Sequence, residues 1–323
     1  MADSIGNPFF WTAFLAVVFC LLAFDLGVFQ RKAHAISVRE ALFWSTVWVS
    51  LSLLFGIGIY LHYGPHKGME FFTGYLIEYA LSVDNVFVFI LIFSYFSVPA
   101  RLHHRVLFWG ILGALVMRAA FILAGAALIH AFHWVIYIFG AFLVFTGWKI
   151  LQQRETEVEP EKNPMVRLFR RMVPMSADYQ TGGFFVRQGG RVLATPLALV
   201  LVTVETTDLV FATDSIPAIF GVTKDPFIVY TSNVCAILGL RSMYFLLAAV
   251  VDRFAYLGIG LGIVLMFIGV KMLIGGFIKI PIAVSLTVVA VILLGSVAIS
   301  LIWPPKRLEG VSNPSRPSDH DDQ

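Results

Sequence analysis

Two apolar stretches, SVDNVFVFILIFSYFSV at residues 82–98 and TTDLVFATDSIPAIFGV at residues 206–222, carry the strongest structural signal in the chain. Each is hydrophobic enough to contribute to a membrane-spanning helix, which needs roughly 20 mostly apolar residues. Aligning the two stretches places Asp84 on Asp208. Because a buried acid within a membrane is costly, such residues are kept where they have a function or a charged partner.

The composition of the whole chain agrees with a membrane environment. Of its 323 residues, 59% are hydrophobic and 13% are charged, whereas soluble domains carry about a quarter charged residues. A soluble fold of this size would not bury so much apolar surface, so we predict an all-α integral membrane protein. Cys20 and Cys235 both lie in apolar runs and match neither a disulfide framework nor a zinc site.

Hydrophobic segments of sufficient length predict about nine transmembrane helices. The predicted spans are residues 9–30, 41–62, 71–97, 104–130, 133–152, 193–221, 226–251, 255–275 and 281–303. Lys and Arg concentrate in alternate loops, chiefly 31–40, 98–105 and 153–192. By the positive-inside rule, this predicts an N-terminus outside and a C-terminus in the cytoplasm, although Lys271 and Lys279 oppose it.

The two halves of the chain also match beyond the aligned aspartates: Ile111-Leu112-Gly113 aligns with Ile237-Leu238-Gly239, and Gly147 with Gly269. Each copy holds three spans, an odd number, so the second copy enters the membrane from the opposite side. We therefore predict a 3+3 inverted-topology repeat, a construction typical of secondary transporters. The predicted divisions are two N-terminal helices (1–70), a first repeat (71–152), a cytoplasmic loop (153–192), a second repeat (193–276), a last helix (277–305) and a disordered cytoplasmic tail (306–323).

Five acidic residues lie well inside the predicted spans: Glu78, Asp84, Glu205, Asp208 and Asp214. At a rise of about 1.5 Å per residue, Glu78 is expected roughly 9 Å outside Asp84, and Asp214 roughly 9 Å outside Asp208. The spacing predicts Asp84 with Asp208 at the midplane, Glu78 with Asp214 nearer the outside, and Glu205 slightly inward on the face of Asp208. These carboxylates are the candidate metal ligands.

Neutral oxygens near the acids, including those of Asn85 and Thr213, together with Pro217, which we expect to disturb its helix, favour a site for hard cations such as Mg²⁺, Ca²⁺ or Mn²⁺. Two arginines, Arg118 and Arg241, fall near the middle of spans 4 and 7. They are consistent with a purely structural ion-pair network with Asp84 and Asp208. Alternatively, they partly balance the charge of an empty ion site.

Catalytic and nucleotide-binding signatures such as HExxH, GxSxG and Walker A do not occur in the sequence. We therefore predict a transporter that is not an enzyme and does not use ATP. Its expected partners are the transported metal ion and the lipid bilayer, with no nucleic acid and no permanently bound cofactor. The oligomeric state is not predicted.

The segments EYALSVDNVFVF (78–89), VETTDLVFATDSIPAIF (204–220) and TSNVCAILGLRSMYF (231–245) resemble the signatures of the TerC family. That family is named for tellurium resistance and includes Alx-type manganese exporters within the LysE transporter superfamily. The resemblance covers roughly residues 5–305 and implies a bacterial inner-membrane protein that exports Mn²⁺. Coupling of export to proton entry through the same carboxylates is a further option within the transport hypothesis. The resemblance places the family's acidic positions on the five acids above and adds Asn233 to the candidate supporting residues.

Three other functions stay open at this point. The chain is also compatible with a membrane-protein assembly factor or scaffold, since some plastid relatives are associated with that role, and its acids would then be structural. An indirect tellurium-resistance protein is a second alternative, because a corridor of acids repels the tellurite anion. An intramembrane metalloenzyme is the third, but no catalytic pair beyond the acids supports it.

Overall fold

The computed structural model describes residues 4–29, 38–132, 134–152, 163–176, 179, 182–188, 191–248, 256–278 and 280–302, without the side chains of 25–29, 84 and 301. The predicted tail at 306–323 and the acidic start of the 153–192 loop lie outside these residues. The elements are α1 (Pro8–Phe29), α2 (Val38–Tyr63), α3 (Pro65–Tyr95), α4 (Ala100–Ala131), α5 (Val135–Gln152), α6 (Pro164–Met172), β1 (Phe185–Gln188), β2 (Arg191–Ala194), α7 (Pro196–Phe220), α8 (Pro226–Leu238), α9 (Leu240–Ala248), α10 (Leu257–Ile274) and α11 (Ile282–Ile302).

Long apolar helices make up the fold, which confirms an all-α membrane protein. Within the described ranges, seven helices are long and apolar enough to cross a membrane, or eight if the bent pair α8 and α9 forms one span. Every predicted span falls on an apolar helix or on that pair, with α1 on the first. The count of nine crossings stays a prediction, as do the division boundaries.

Several helix starts follow directly from the sequence. Pro65, Pro164, Pro196 and Pro226 each stand at the beginning of a helix, where the missing N–H of proline has no intrahelical partner to lose. At the start of α8, the Asp225 carboxylate accepts a hydrogen bond from the Phe227 N–H at 3.1 Å. These residues mark where α3, α7 and α8 begin; α3 and α7 carry the buried acids Glu78 and Asp208.

The helix interruption lies in a different place from the one expected. Pro217 does not break α7. It lies in the last turn of that helix, which ends at Phe220. The break occurs instead at Gly239, where α8 and α9 meet at 42° within the predicted seventh span. An interrupted helix at membrane depth is tolerated where the surrounding protein buries it, and α8 and α9 are largely buried.

The 153–192 loop contains ordered structure between its described ends. Asn163 caps α6 by accepting a hydrogen bond from the Met165 N–H at 2.9 Å, and its amide donates to the Thr206 hydroxyl on α7 at 2.9 Å. The strands β1 and β2 pair in antiparallel register, with Phe185 opposite Ala194. The loop is therefore attached to the helix that carries Glu205 and Asp208.

Four glycines allow α5 and α10 to cross at close range. A Cβ atom added to Gly147 would lie 2.5 Å from the Gly262 carbonyl oxygen, and one added to Gly269 would lie 2.6 Å from the Gly140 carbonyl oxygen. The alignment that pairs Gly147 with Gly269 also pairs Gly140 with Gly262, so exchanging the two copies turns one contact into the other. Small residues permit this backbone approach between membrane helices.

Two further helix contacts, α3 with α8 and α4 with α7, are also related by the repeat. If α3 corresponds to α7, and α4 to the α8–α9 pair, swapping the two copies turns one contact into the other. This is the contact pattern that two related three-helix units would produce. The inverted repeat itself stays a prediction.

We expect Gly147→Ala to lower the stability of the protein by about 1–3 kcal/mol, because its methyl group would push α5 and α10 apart. Thermal unfolding of the detergent-purified protein measures the effect. Gly258→Ala is the matched control, since nothing lies within 4 Å of the added Cβ atom. Equal melting temperatures for the two variants would contradict the close-crossing explanation.

Candidate functional site

The centre of the site is Arg118 on α4, which is 1% exposed. Its guanidinium binds the Asp208 carboxylate on α7 with two nitrogens, Nη2 to Oδ1 at 3.0 Å and Nε to Oδ2 at 3.2 Å. Its Nη1 donates to Oε1 of Glu78 on α3. One arginine therefore connects two buried carboxylates from different helices.

Two neutral groups complete the contacts of this guanidinium. Nη1 also lies 3.2 Å from Oδ1 of Asn233 on α8 and 3.5 Å from the Ser215 hydroxyl on α7. Glu78 and Asn233 have no solvent-exposed surface, and Ser215 is 1% exposed. We call Glu78, Arg118, Asp208, Ser215 and Asn233 the central cluster, which joins α3, α4, α7 and α8.

The central cluster is incompletely satisfied. With both acids ionised, two carboxylates face one guanidinium, which leaves a net charge of −1. Oε2 of Glu78 and Nδ2 of Asn233 are buried without a hydrogen-bond partner, as is the hydroxyl of Ser82, one turn along α3 from Glu78. Since most buried polar atoms in native proteins are hydrogen-bonded, the unpartnered oxygens of Glu78 and Ser82 are acceptors that a further ligand could use.

Glu205 lies next to the central cluster, one turn before Asp208 on α7. Its carboxylate rests on Gly113 of α4, where an added Cβ atom would lie 2.0 Å from Oε1, and its Oε2 is buried without a partner. Gly113 therefore leaves the space that the Glu205 carboxylate occupies. The sequence alignment singled out Gly113 as a repeated residue, but nothing in the sequence revealed this role.

Asp214 has a different environment from the one predicted. It is half-buried and faces α5, where Thr146 and Lys149 are its polar neighbours. The predicted pairing of Glu78 with Asp214 is not observed in this structure, because Arg118 brings Glu78 to Asp208 instead. The depth of a residue along a helix does not give the direction in which its side chain points around that helix. That direction separates Asp214 from the cluster.

The other predicted residues are distributed as follows. The side chain of Asp84 lies outside the described part of the chain, although its backbone is in α3. Asn85 is 3% exposed, and Arg241 is 6% exposed and lies near His104. Thr213 is exposed, and its hydroxyl donates to the carbonyl of Val210 in its own helix at 2.6 Å.

A second group of charges was not anticipated. Asp225 accepts hydrogen bonds from the Ser4 hydroxyl at 2.7 Å and from the Ile5 N–H at 2.9 Å. Lys67 lies 3.4 Å from Asp225 and 3.1 Å from Glu70. These contacts attach the start of the chain to the α7–α8 loop and to α3, so we interpret this group as structural.

The described residues do not form a ready-made metal site. They contain no group of three or more His, Cys, Asp or Glu side chains placed to hold a metal ion. One cavity, of about 660 Å³, is lined by residues including Tyr137, Lys224 and Lys271, and another, of about 570 Å³, lies among apolar side chains of α1, α2 and α8. Neither reaches the central cluster, which is closed around Arg118 in this conformation.

Comparison with known proteins identifies related chains over nearly the full length. An uncharacterized membrane protein of Myxococcus xanthus is 54% identical over 299 residues, which cover 93% of this chain and 94% of the relative. A protein of Escherichia coli (strain K12), named as a candidate membrane-bound redox modulator, Alx, is 51% identical over 296 residues, covering 89% and 92%. A Photorhabdus laumondii protein with the same name is 47% identical over 313 residues, covering 94% and 98%. No solved structure matches the chain.

The family model described as the integral membrane protein TerC family matches residues 63–308, a range that begins at the end of α2 and includes every residue of the central cluster. Because this match covers most of the chain and the relatives cover nearly all of it, the protein belongs to the TerC family of integral membrane proteins.

Proposed function

We propose that this protein transports divalent metal cations and exports Mn²⁺ across the bacterial inner membrane, with its N-terminus outside and its C-terminus in the cytoplasm. The metal ion is cargo rather than a resident cofactor, and the protein is a transporter rather than an enzyme. The proposed ion-binding residues are Glu78, Asp84, Glu205 and Asp208, supported by Asn85 and Asn233, with Arg118 and Arg241 as the intramembrane cations. Asp214 and Thr213 are left out because they lie outside the central cluster.

The observation that carries the proposal is the environment of Glu78. It is fully buried, shares one guanidinium with Asp208, and has a second carboxylate oxygen without any partner. A buried carboxylate that is not neutralised is destabilising by several kcal/mol in real proteins. A divalent cation would neutralise Glu78 and Asp208 together and would fill the vacant oxygen.

The donor set supports a hard cation. The groups around Arg118 supply carboxylate, amide and hydroxyl oxygens, which suit Mg²⁺, Ca²⁺ and Mn²⁺. Oxygen ligands alone do not select among these ions, so Mn²⁺ rests on the family resemblance. The negative charge at the cluster disfavours direct passage of the tellurite anion.

The competing candidate is a scaffold or assembly factor in which the buried charges hold helices together. The two-point contact between Arg118 and Asp208 favours this candidate, because such a pair also occurs in purely structural networks. The two candidates differ in what removal of a negative charge should do to stability and to metal flux.

The first test is metal flux into proteoliposomes that contain the purified protein, with Mn²⁺, Ca²⁺, Mg²⁺ and Zn²⁺ supplied in turn and detected by an internal fluorescent chelator. We expect Mn²⁺ flux that falls at least about tenfold in Asp208→Asn, since about 1.4 kcal/mol of lost ion stabilisation has that effect. Asp225→Asn is the matched control because this buried aspartate belongs to the structural group at the α7–α8 loop. Absence of flux for all four metals in the unmodified protein would refute transport.

The second test separates the ion site from a structural network by means of Glu205→Gln. Within the described part of the chain, no arginine pairs with the Glu205 carboxylate, and one of its oxygens is buried without a hydrogen-bond partner. Removing its charge while keeping its shape should leave the melting temperature equal or higher, but should reduce Mn²⁺ flux. A large loss of stability in this variant, with flux per folded molecule unchanged, would favour the scaffold.

A further inference from the structure

We propose that Arg118 is a tethered cation that takes the place of the transported metal ion in the empty carrier and so allows the carrier to change conformation without cargo. The inference rests on the proposed cation transport and assigns a role to a residue of the same site. It makes Arg118 a positioning residue, since it acts on the ion through the carboxylates that both of them use.

Arg118 occupies carboxylate and amide oxygens that a metal ion would use. Arg118 contacts Oε1 of Glu78, both carboxylate oxygens of Asp208 and Oδ1 of Asn233. A hard divalent cation would bind these same atoms, at about 2.0–2.6 Å. Because the guanidinium holds both Asp208 oxygens, a metal ion that binds the two carboxylates together must displace the guanidinium from Asp208.

The charges of the metal ion and of Arg118 differ in how well they balance the two carboxylates. Glu78 and Asp208, when ionised, carry −2, which one divalent ion neutralises fully and Arg118 neutralises by half. The metal ion is therefore the better partner of the pair, while Arg118 still compensates half of the charge that the two buried carboxylates carry without an ion. Because the ion carries the larger charge, it can displace the guanidinium from the carboxylates, and the guanidinium can replace the ion after release.

The hydrogen bonding of the central cluster is incomplete around Arg118. A permanent structural arginine is expected to sit in a network whose members are all satisfied. Here Oε2 of Glu78, an acceptor that can bind a cation, remains buried without a partner although Glu78 already contacts Arg118. The cluster thus fits its arginine incompletely, as expected for a stand-in whose partners must also accept another ligand.

A consequence follows for the transport cycle. When the ion has left, Arg118 halves the negative charge of the empty site. This eases the return of the empty carrier through the membrane, which net transport requires. Without Arg118, the empty site keeps two uncompensated negative charges at membrane depth, and the return step is slowed. The ion-loaded carrier is unaffected, because there the metal ion supplies the charge.

Arg118→Gln should therefore separate two modes of transport in proteoliposomes. We expect net Mn²⁺ flux to fall at least about tenfold, while exchange of radioactive for unlabelled Mn²⁺ at equal concentrations on both sides is retained. If the arginine-free state is about 1–10% populated in the unmodified protein, the affinity of the variant for Mn²⁺ should rise about 10- to 100-fold. Binding of Mn²⁺ to the detergent-purified protein measures this affinity.

Two further variants act as controls. Arg118→Lys keeps a positive charge but lacks the planar fork that reaches both carboxylates, so we expect net flux between those of the unmodified protein and Arg118→Gln. Arg105→Gln lies on the same helix, where Arg105 donates to the carbonyl of Gly182 away from the cluster, and it should change neither transport mode. Mn²⁺ should also raise the melting temperature of Arg118→Gln more than that of the unmodified protein.

Each outcome has a defined meaning. Loss of both net flux and exchange in a folded Arg118→Gln protein, or an Mn²⁺ affinity that is unchanged or weaker, would overturn the tethered-cation role and leave cation transport standing. If Arg118→Gln does not reach the membrane, the affinity of Arg118→Lys decides the question, because it must rise if the guanidinium competes with the metal ion. Absence of both transport modes in the unmodified protein would instead refute the proposed function itself.

Discussion

The pairing of Arg118 with the carboxylates of Glu78 and Asp208 is the interaction on which the interior of this protein depends. Lipid and apolar side chains surround the helices, so water is not available to stabilise a charge at that depth. A guanidinium suits the position because its planar fork can contact two carboxylates at once. The four helices that meet there are held in one relative arrangement as a result.

The same constraint explains why the site is built from helices that are interrupted or closely packed. Gly113 gives the Glu205 carboxylate its space, and the break at Gly239 separates the helix that carries Asn233 from the helix that carries Arg241. Discontinuous helices are typical of transporter sites, where backbone irregularity is tolerated inside the protein. By contrast, the continuous α5–α10 crossing at four glycines lies apart from the cluster and contributes packing rather than charge.

Incomplete satisfaction of the cluster links stability to the proposed transport. A network whose polar atoms were all paired would be more stable, but it would leave nothing for a cation to complete. The unfilled oxygens of Glu78 and Glu205 make the observed arrangement less than optimal as a purely structural device. Buried polar atoms that lower stability but serve function are expected at functional sites.

The helical membrane fold, the position of each apolar helix and two of the buried acids, Glu78 and Asp208, could be predicted from the sequence, because hydrophobic length and the cost of charge in lipid are properties of local composition. The three-dimensional packing was needed to show that Glu78 meets Asp208 at Arg118, that Asp214 faces Lys149 on another helix, and that the helix break lies at Gly239 rather than at Pro217. These outcomes depend on the direction of each side chain around its helix and on which helices pack together. Neither quantity is encoded in the depth of a residue along a span.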